Sequence, residues 1–473
     1  MTVLHGDCRE QLANLEDGSV DAIVTDPPYE LGFMGKRWDA SGIAYDSTVW
    51  AECYRVLKPG GHVLAFGGTR TYHRMACAIE DAGFEIRDSI HWLYGSGFPK
   101  SLDVSKAIDK ALGAEREVVG TRPLTGTAKI VGGIRGAVNG TGAERYDDAQ
   151  IRDTLNLTAP ATDAAQVWNG WGTALKPAHE PIVVARKPLI GTVAANVMAH
   201  GTGALNIDGT RIGTTDGQPA WTYPNGAGGS RFKFDPVPNR PDAVAAPPGG
   251  RWPANLVLTH SPDCADECVA GCPVAALNEQ SGNRQSSPFP TRQRIGNNSS
   301  TFGTGTSTVN NAYTGGGYSD SGGASRFFGT SEWDPIADTV PFRYVAKPSR
   351  RERNAGLDGM PKKHTDFGGS GRPGAGFNEV THGKSPEPAA NFHPTVKPVA
   401  LMRWLVRLVT PPGGTVLDPF LGSGTTAVAA ILEGFEWIGC ELTDDYLPII
   451  HARTEWAEQN RPQPDLTLFG EPE

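Results

Sequence analysis

The chain has 473 residues, of which 38% are hydrophobic and 20% charged, and its formal net charge is −9. An acidic balance excludes a uniformly basic nucleic-acid coat, so any nucleic-acid partner must meet a local basic face. The 59 Gly and 37 Pro call for long irregular loops in a chain of roughly two to three domains, or one elaborated domain.

In chain order, "MTVLHGDC" enters a strand pattern at once and leaves no room for a signal peptide. No apolar run is long enough to span a bilayer, so no membrane and a reducing cytoplasm are expected. "DAIVTD" reads as a buried strand. "STVWAECYRVLKPGG" has apolar positions at helical spacing and stops at Pro-Gly-Gly. "HVLAFGG" is the next strand, "RTYHRMACAIEDAGF" the next helix and "EIRDSIHWLYG" the strand after it. This alternation implies an α/β fold, a parallel sheet with helices on its faces. "SLDVSKAIDKAL" reads as a short helix capped by Ser101 or Asp103. The 7 cysteines do not form a disulfide pattern, and Cys8, Cys53, Cys77 and Cys440 read as single buried thiols.

Between residues 113 and 390 Gly, Pro, Ser, Thr and Asn dominate, and Ser281 to Ser331 is close to low complexity. Firmer islands are "PAHEPIVVARKPL", "ANVMAHGTGALNIDG", "RWPANLVLTH" and "PFRYVAKPSRRERNAGL". The expected organisation is a first half, residues 1–112, a large insert, 113–390, and a second half, 391–473. In that last part "PVALMRWLVRLVT" is an amphipathic helix, "GTVLDPF" a strand, "GSGTTAVAAILEG" a turn opening into a helix and "FEWIGCEL" a second strand.

Two strand ends carry unusual loops. In "VLDPFLGSGTTAVAA", Gly422 and Gly424 let backbone approach a ligand, and the helix start offers free N–H groups. The spacing is neither a dinucleotide fingerprint nor a P-loop, and a plain tight turn is the bland alternative. Glu441, at the end of the next strand, suits a ribose diol. In "IVTDPPYE" two prolines stiffen the exit from a strand and remove two donors. If these strands are neighbours where strand order reverses, both loops face one crevice.

The pair "DPPY" and "DPFLGSGTT", in that order, resembles the S-adenosylmethionine-dependent amino-methyltransferases of DNA, in their beta group. "LHGDCREQLANLEDGSVDAIVTDPPY" and "HPTVKPVALMRWLV" are similar to the same family, and "GSGFPKSLDVSKAIDK" and "RWPANLVL" to its phage and prophage members. The resemblance implies a Rossmann-like class I methyltransferase sheet, mainly parallel with one antiparallel strand, and a target-recognition region in the insert.

It also implies roles. Asp26, Pro27, Pro28 and Tyr29 form the catalytic tetrapeptide. An exocyclic amino group is a poor nucleophile because its lone pair conjugates with the ring; Asp26 and a backbone carbonyl, stiffened by the prolines, would accept its two N–H bonds. Tyr29 offers a ring for an extruded base. For S-adenosylmethionine the resemblance implies Asp7, with Cys8 beside it, near the adenine and Glu441 on the ribose. Phe420, Gly422, Ser423 and Gly424 would lie along the methionine part, and Thr395 and Lys397 at its carboxylate. Asp418 joins this set or serves the turn itself. Asp in the first catalytic position leans towards adenine N6; a cytosine-N4 enzyme and a non-catalytic DNA-binding relative are the alternatives.

Two further constellations stand apart. His260, Cys264, Cys268 and Cys272 recur at intervals of four, and three thiolates with an imidazole fit a structural zinc. The spacing departs from the usual paired gaps, and buried thiols with a surface His are the alternative. Between Arg343 and Arg407, 12 Lys or Arg stand against 5 Asp or Glu. Lys347, Arg350, Arg351 and Arg353 there, with Lys100, are expected to meet DNA phosphates. Trp168, Trp171 and Trp252 are expected in target recognition. Double-stranded DNA is the expected partner. Beta-group relatives are often dimers, which suggests a homodimer, and no restriction partner is evident in the chain.

Overall fold

The computed structural model describes residues 2–31, 37–94, 101–123, 154–212, 252–258, 268–269, 272–285, 321–322, 324, 329–330, 348, 350–363 and 389–462. Its strands in chain order are β1 (Thr2–His5), β2 (Val20–Thr25), β3 (Leu57–Phe66), β4 (Glu85–Leu93), β5 (Val118–Pro123), β6 (Thr154–Thr158), β7 (His179–Arg186), β8 (Leu256–Leu258), β9 (Arg284–Gln285), β10 (Ser321–Gly322), β11 (Gly329–Thr330), β12 (Thr415–Asp418) and β13 (Glu436–Glu441). Nine of them form one sheet in the order β1-β13-β12-β2-β3-β7-β4-β8-β11.

Every described pairing in this sheet is parallel except those of β7, which runs antiparallel to β3 and to β4. The fold is therefore the mainly parallel α/β sheet with one antiparallel strand that the sequence implied. Strands buried on both faces read as continuous apolar runs, and all 6 residues of β2 are buried. On one face Ala22, Val24, Leu64 and Phe66 pack with the helices Val399–Val409 and Thr425–Glu433. On the other, Val20, Ile23, Val63 and Ala65 meet the helices Cys8–Leu12, Ser47–Val56 and Tyr72–Asp81.

Three local expectations are revised. The first is the break at Pro-Gly-Gly: β3 begins at Leu57 and passes through it, with a register shift against β2. Another is Cys77, which is exposed, because Met75, Ala78 and Ile79 form the face of its helix that meets the sheet. The third concerns the insert, since β7, β8 and β11 arise inside residues 113–390 yet belong to the sheet. β7 separates β3 from β4, which the alternation alone would have left adjacent. Of the two candidate caps, Asp103 serves, its carboxylate accepting from Lys106 N at 3.1 Å. Among the described residues no helix is long and apolar enough to cross a membrane.

Candidate active site

β12 and β2 are parallel neighbours, with Val416 opposite Ala22 and Leu417 opposite Ile23. Their carboxyl ends therefore open at the same edge of the sheet, the place where an open α/β sheet takes ligands. Thr25 Oγ1 donates to Asp418 Oδ1 at 2.6 Å and joins the two ends. Phe420 N donates to the same oxygen at 3.0 Å, and Thr426 Oγ1 to Oδ2 at 2.5 Å. Burial pushes the Asp418 carboxyl up to about 6, although these donors oppose the shift. Both Asp418 oxygens thus accept hydrogen bonds that hold the turn.

The glycine loop has the conformation its residues require. Gly422 and Gly424 have φ of +56° and +80°, values that cost a Cβ-bearing residue energy. A Cβ on Gly422 would come within 2.9 Å of His393 Nε2. The helix that follows has no side-chain cap at Gly424, so its first N–H groups lack that intramolecular partner. Behind the loop, Arg453 is 1% exposed. Its Nη1 donates to Ser423 O at 2.6 Å, Ser423 Oγ at 3.0 Å and Thr425 Oγ1 at 3.1 Å. Burial lowers its pKa to about 10, so the guanidinium stays charged at neutral pH.

Glu441 and Asp7 lie at adjacent strand ends, since β1 pairs with β13 through His5 and Glu441. The Glu441 carboxylate is buried and accepts from Thr443 N at 2.7 Å; burial raises its pKa against this bond and one from the Gly422 amide. Asp7 caps the helix Cys8–Leu12, and its bond to Arg9 holds its carboxyl below the usual range. Cys8 is buried, with its thiol pushed up to about 12 by burial, so it stays protonated. Phe420 packs half-buried beside this cluster. Two acidic groups, a glycine cradle and uncapped helix N–H groups along one edge suit an adenosyl-amino-acid cofactor. His393 Nδ1 donates to Thr395 O at 3.0 Å and the ring stacks edge-on to Tyr446, its pKa lowered by burial to about 3.

Across the crevice, Asp26 Oδ2 accepts from Lys397 Nζ at 2.5 Å. Lys397, expected at the cofactor carboxylate, is thus hydrogen-bonded to the acidic loop. Its ammonium, 7% exposed as a residue, sits between Asp26 and Glu180, whose Oε2 is 3.6 Å away. It also lies 5.1 Å from the Tyr29 ring centre and 4.9 Å from that of Phe66. Burial works against the Lys397 charge, but the two carboxylates more than offset it and leave its pKa raised. Tyr29 Oη donates to Glu180 Oε2 at 2.9 Å. Its ring packs beside Gly68, where a Cβ would come within 3.3 Å. Pro27 is buried and Pro28 half-buried. The chain then turns at Glu30, a non-glycine residue with φ of 54°. The Glu30 carboxylate holds that turn by accepting from Gly42 N at 2.7 Å.

Sequence reasoning missed Glu180 and Arg453. Within the basic cluster two side chains make contacts inside the fold. Arg353 donates inward to His393 O at 2.5 Å, and Glu352 between the arginines accepts from Val399 N at 2.8 Å, capping the helix Val399–Val409. Arg351 is exposed. Lys100, Lys347 and the Arg350 side chain lie outside the described residues, as do His260 and Cys264. Cys268 is exposed and Cys272 buried. Among the described residues no group of 3 or more metal-binding side chains stands together. Trp168, Trp171 and Trp252 are all exposed, the first two with ring centres 5.1 Å apart.

The sheet order thus brings a Pro-stiffened acidic loop and a glycine loop to one edge, where the strand order reverses between β2 and β12. Residues 20–118 and 144–452 match the DNA methylase family of N6/N4 methyltransferases, and the chain belongs to that family. It is 35% identical over 107 residues to the type II methyltransferase M.HpaI of Haemophilus parainfluenzae, covering 21% of this chain and 34% of that protein. It is 38% identical over 85 residues to the type II methyltransferase M.ScaI of Streptomyces caespitosus, covering 18% and 28%. The matched stretches thus span about a third or less of these relatives' length. Among solved structures, the cytosine-N4-specific PvuII DNA methyltransferase aligns with a TM-score of 0.37 and 11% identity over 97% of this chain and 90% of that one. The M1.HpyAVI–SAM complex aligns with a TM-score of 0.33 and 15% identity over 96% and 98%.

Proposed function

We propose that this protein transfers a methyl group from S-adenosylmethionine to the exocyclic N6 of adenine in double-stranded DNA. The observation that carries the reading is the Thr25–Asp418 bond, which fixes the catalytic loop and the glycine loop side by side at one edge of the sheet. Glu441 and Asp7 would hold the adenosine end of the cofactor, and the glycine loop with its helix N-terminus the amino-acid end. When bound, S-adenosylmethionine supplies an electrophilic methyl carbon on a sulfonium.

The chain's own part is to prepare the nitrogen. Asp26 Oδ1 is buried and has no hydrogen-bond partner among the described residues. A buried, unpaired acceptor is costly unless a ligand donor completes it. An amino N–H donated to Oδ1 would draw the nitrogen lone pair out of conjugation with the base. On transfer the nitrogen would gain the methyl carbon while the carbon–sulfur bond breaks with its electron pair left on sulfur, and it would give up one N–H proton, with Asp26 Oδ1 as the acceptor in hydrogen-bond contact. Pro27 and Pro28 hold the neighbouring backbone stiff, and much of the rate rests on this positioning. The base must leave the duplex to reach a crevice of this kind.

Asp rather than Ser at position 26 favours adenine. Nucleoside analysis of DNA incubated with the protein and cofactor is expected to yield N6-methyladenine. N4-methylcytosine would move the substrate to cytosine, and no methylated nucleoside would refute the reading. Asp26→Ala is expected to abolish transfer while cofactor affinity stays within about twofold, because the cofactor residues lie on other strands.

A further inference from the structure

The residue that organises the catalytic loop comes from the antiparallel strand. Glu180 stands second in β7, opposite Trp92 of β4. Its carboxylate takes the Tyr29 hydroxyl at 2.9 Å, the Tyr94 hydroxyl, and the Lys397 ammonium at 3.6 Å. Lys397 in turn holds Asp26 Oδ2. The Glu180 side chain is 13% exposed and that of Lys397 8%, so little water screens the pair.

We propose that Glu180 is a positioning residue for methyl transfer: it restrains Lys397 and Tyr29 so that Asp26 keeps one oxygen paired and presents Oδ1 alone to the incoming amino group. This rests on the methyltransferase reading above. The physical reason is a division of the ammonium between two carboxylates. An ammonium on a flexible four-carbon stem has three rotatable donors. Without Glu180 it can turn fully onto Asp26 and occupy the acceptor that the base needs. Glu180 also ties down the Tyr29 ring at its hydroxyl, while Gly68 packs against that ring.

The groups facing Asp26 are Lys397, Glu180, Tyr29 and Asp418. Burial raises the Asp26 pKa, Lys397 lowers it and Glu180 raises it. The two neighbours therefore act on Asp26 in opposite directions, which a purely structural role would not reproduce. In the cofactor-free protein, infrared titration of the Asp26 carboxylate, assigned by difference against Asp26→Asn, is expected to move to lower pH in Glu180→Gln and to higher pH in Lys397→Met. The acidic limb of the kcat profile should move the same two ways. In Glu180→Gln, kcat should fall about tenfold or more with cofactor Kd within about twofold. Where Glu180→Gln does not fold, Glu180→Asp keeps the charge, shortens the reach and is expected to show the same kcat loss. Wild-type kcat with unmoved titration in a folded Glu180 variant overturns the role. If Asp26→Ala is inactive under those conditions, only the Glu180 assignment fails; if Asp26→Ala keeps wild-type turnover, the methyl-transfer reading itself fails.

Discussion

Thr25 and Asp418, 393 positions apart in the chain, share a 2.6 Å hydrogen bond at the carboxyl ends of neighbouring strands. One precedes Asp26, for which a catalytic role is proposed; the other opens the glycine loop. Both are buried, so the bond is shielded from competing water. Thr25→Val keeps the side-chain shape and β-branching but deletes the donor. Asp418 Oδ1 then retains only the Phe420 amide of its two donors. Loss of such a buried bond costs about 1–2 kcal/mol, measurable as a shift in the urea midpoint at unchanged m. Methyl transfer should fall further than cofactor affinity, because the relative placement of the two loops is what loosens.

Gly422 offers a test of the cradle. An alanine there meets two penalties: a φ of +56°, and a Cβ 2.9 Å from His393 Nε2. The backbone penalty alone is about 1–2 kcal/mol. Gly422→Ala is expected to lose stability by at least that much and to weaken cofactor binding. Adding His393→Ala should recover the clash but not the backbone cost. A double-mutant cycle on stability reads the difference; strictly additive effects would show that the two residues do not meet.

Arg453 grips the loop from behind with three bonds from one nitrogen. Arg453→Met fills most of the volume and leaves the Ser423 carbonyl without this partner. A loss of about 3 kcal/mol is expected, since removing one side of a buried charged bond leaves the other unpaired. Calorimetric cofactor Kd should rise about tenfold as the loop loosens, while Arg453→Lys, able to keep one bond, falls between.

Much of this architecture was legible because its signals are local. Each strand of the two sheet halves is a short apolar run, and each functional loop follows one directly, so "DPPY" and "DPFLGSGTT" announce themselves without the fold. Glu180 and Arg453 do not. Glu180 reads as an ordinary acid before an apolar run, and gains its role only when β7 inserts between β3 and β4. For Arg453 a signal existed: it falls in the buried stripe Ile449, Ile450, Arg453 and Ala457 of its helix, where a charged residue calls for an internal partner. The arginine-rich stretch is put to more than one use. Composition suggested a surface, but Glu352 and Arg353 are used to cap a helix and pin the His393 segment.

His62 gives the fold a pH dependence of its own. It lies in β3 opposite Arg186 of β7, 4% exposed, and its Nδ1 has no partner among the described residues. Burial first, and then the charges of Arg186 and Arg87, lower its pKa from 6.5 to about 4. A base whose folded pKa is depressed adds stability while it is neutral in both states. That stability is complete above the unfolded value and is lost as pH falls through it towards the folded one. The window is therefore from 6.5 down to about 4. Between pH ~7.5 and ~5 this one group should remove about 2 kcal/mol. His62→Gln cannot take up the proton, so its urea midpoint should fall less over that interval than the wild type's, even if it starts lower at neutral pH. Equal falls in both proteins would mean that His62 takes up its proton as readily in the fold as in the unfolded chain, and that the strand pair tolerates a third positive charge beside Arg186 and Arg87.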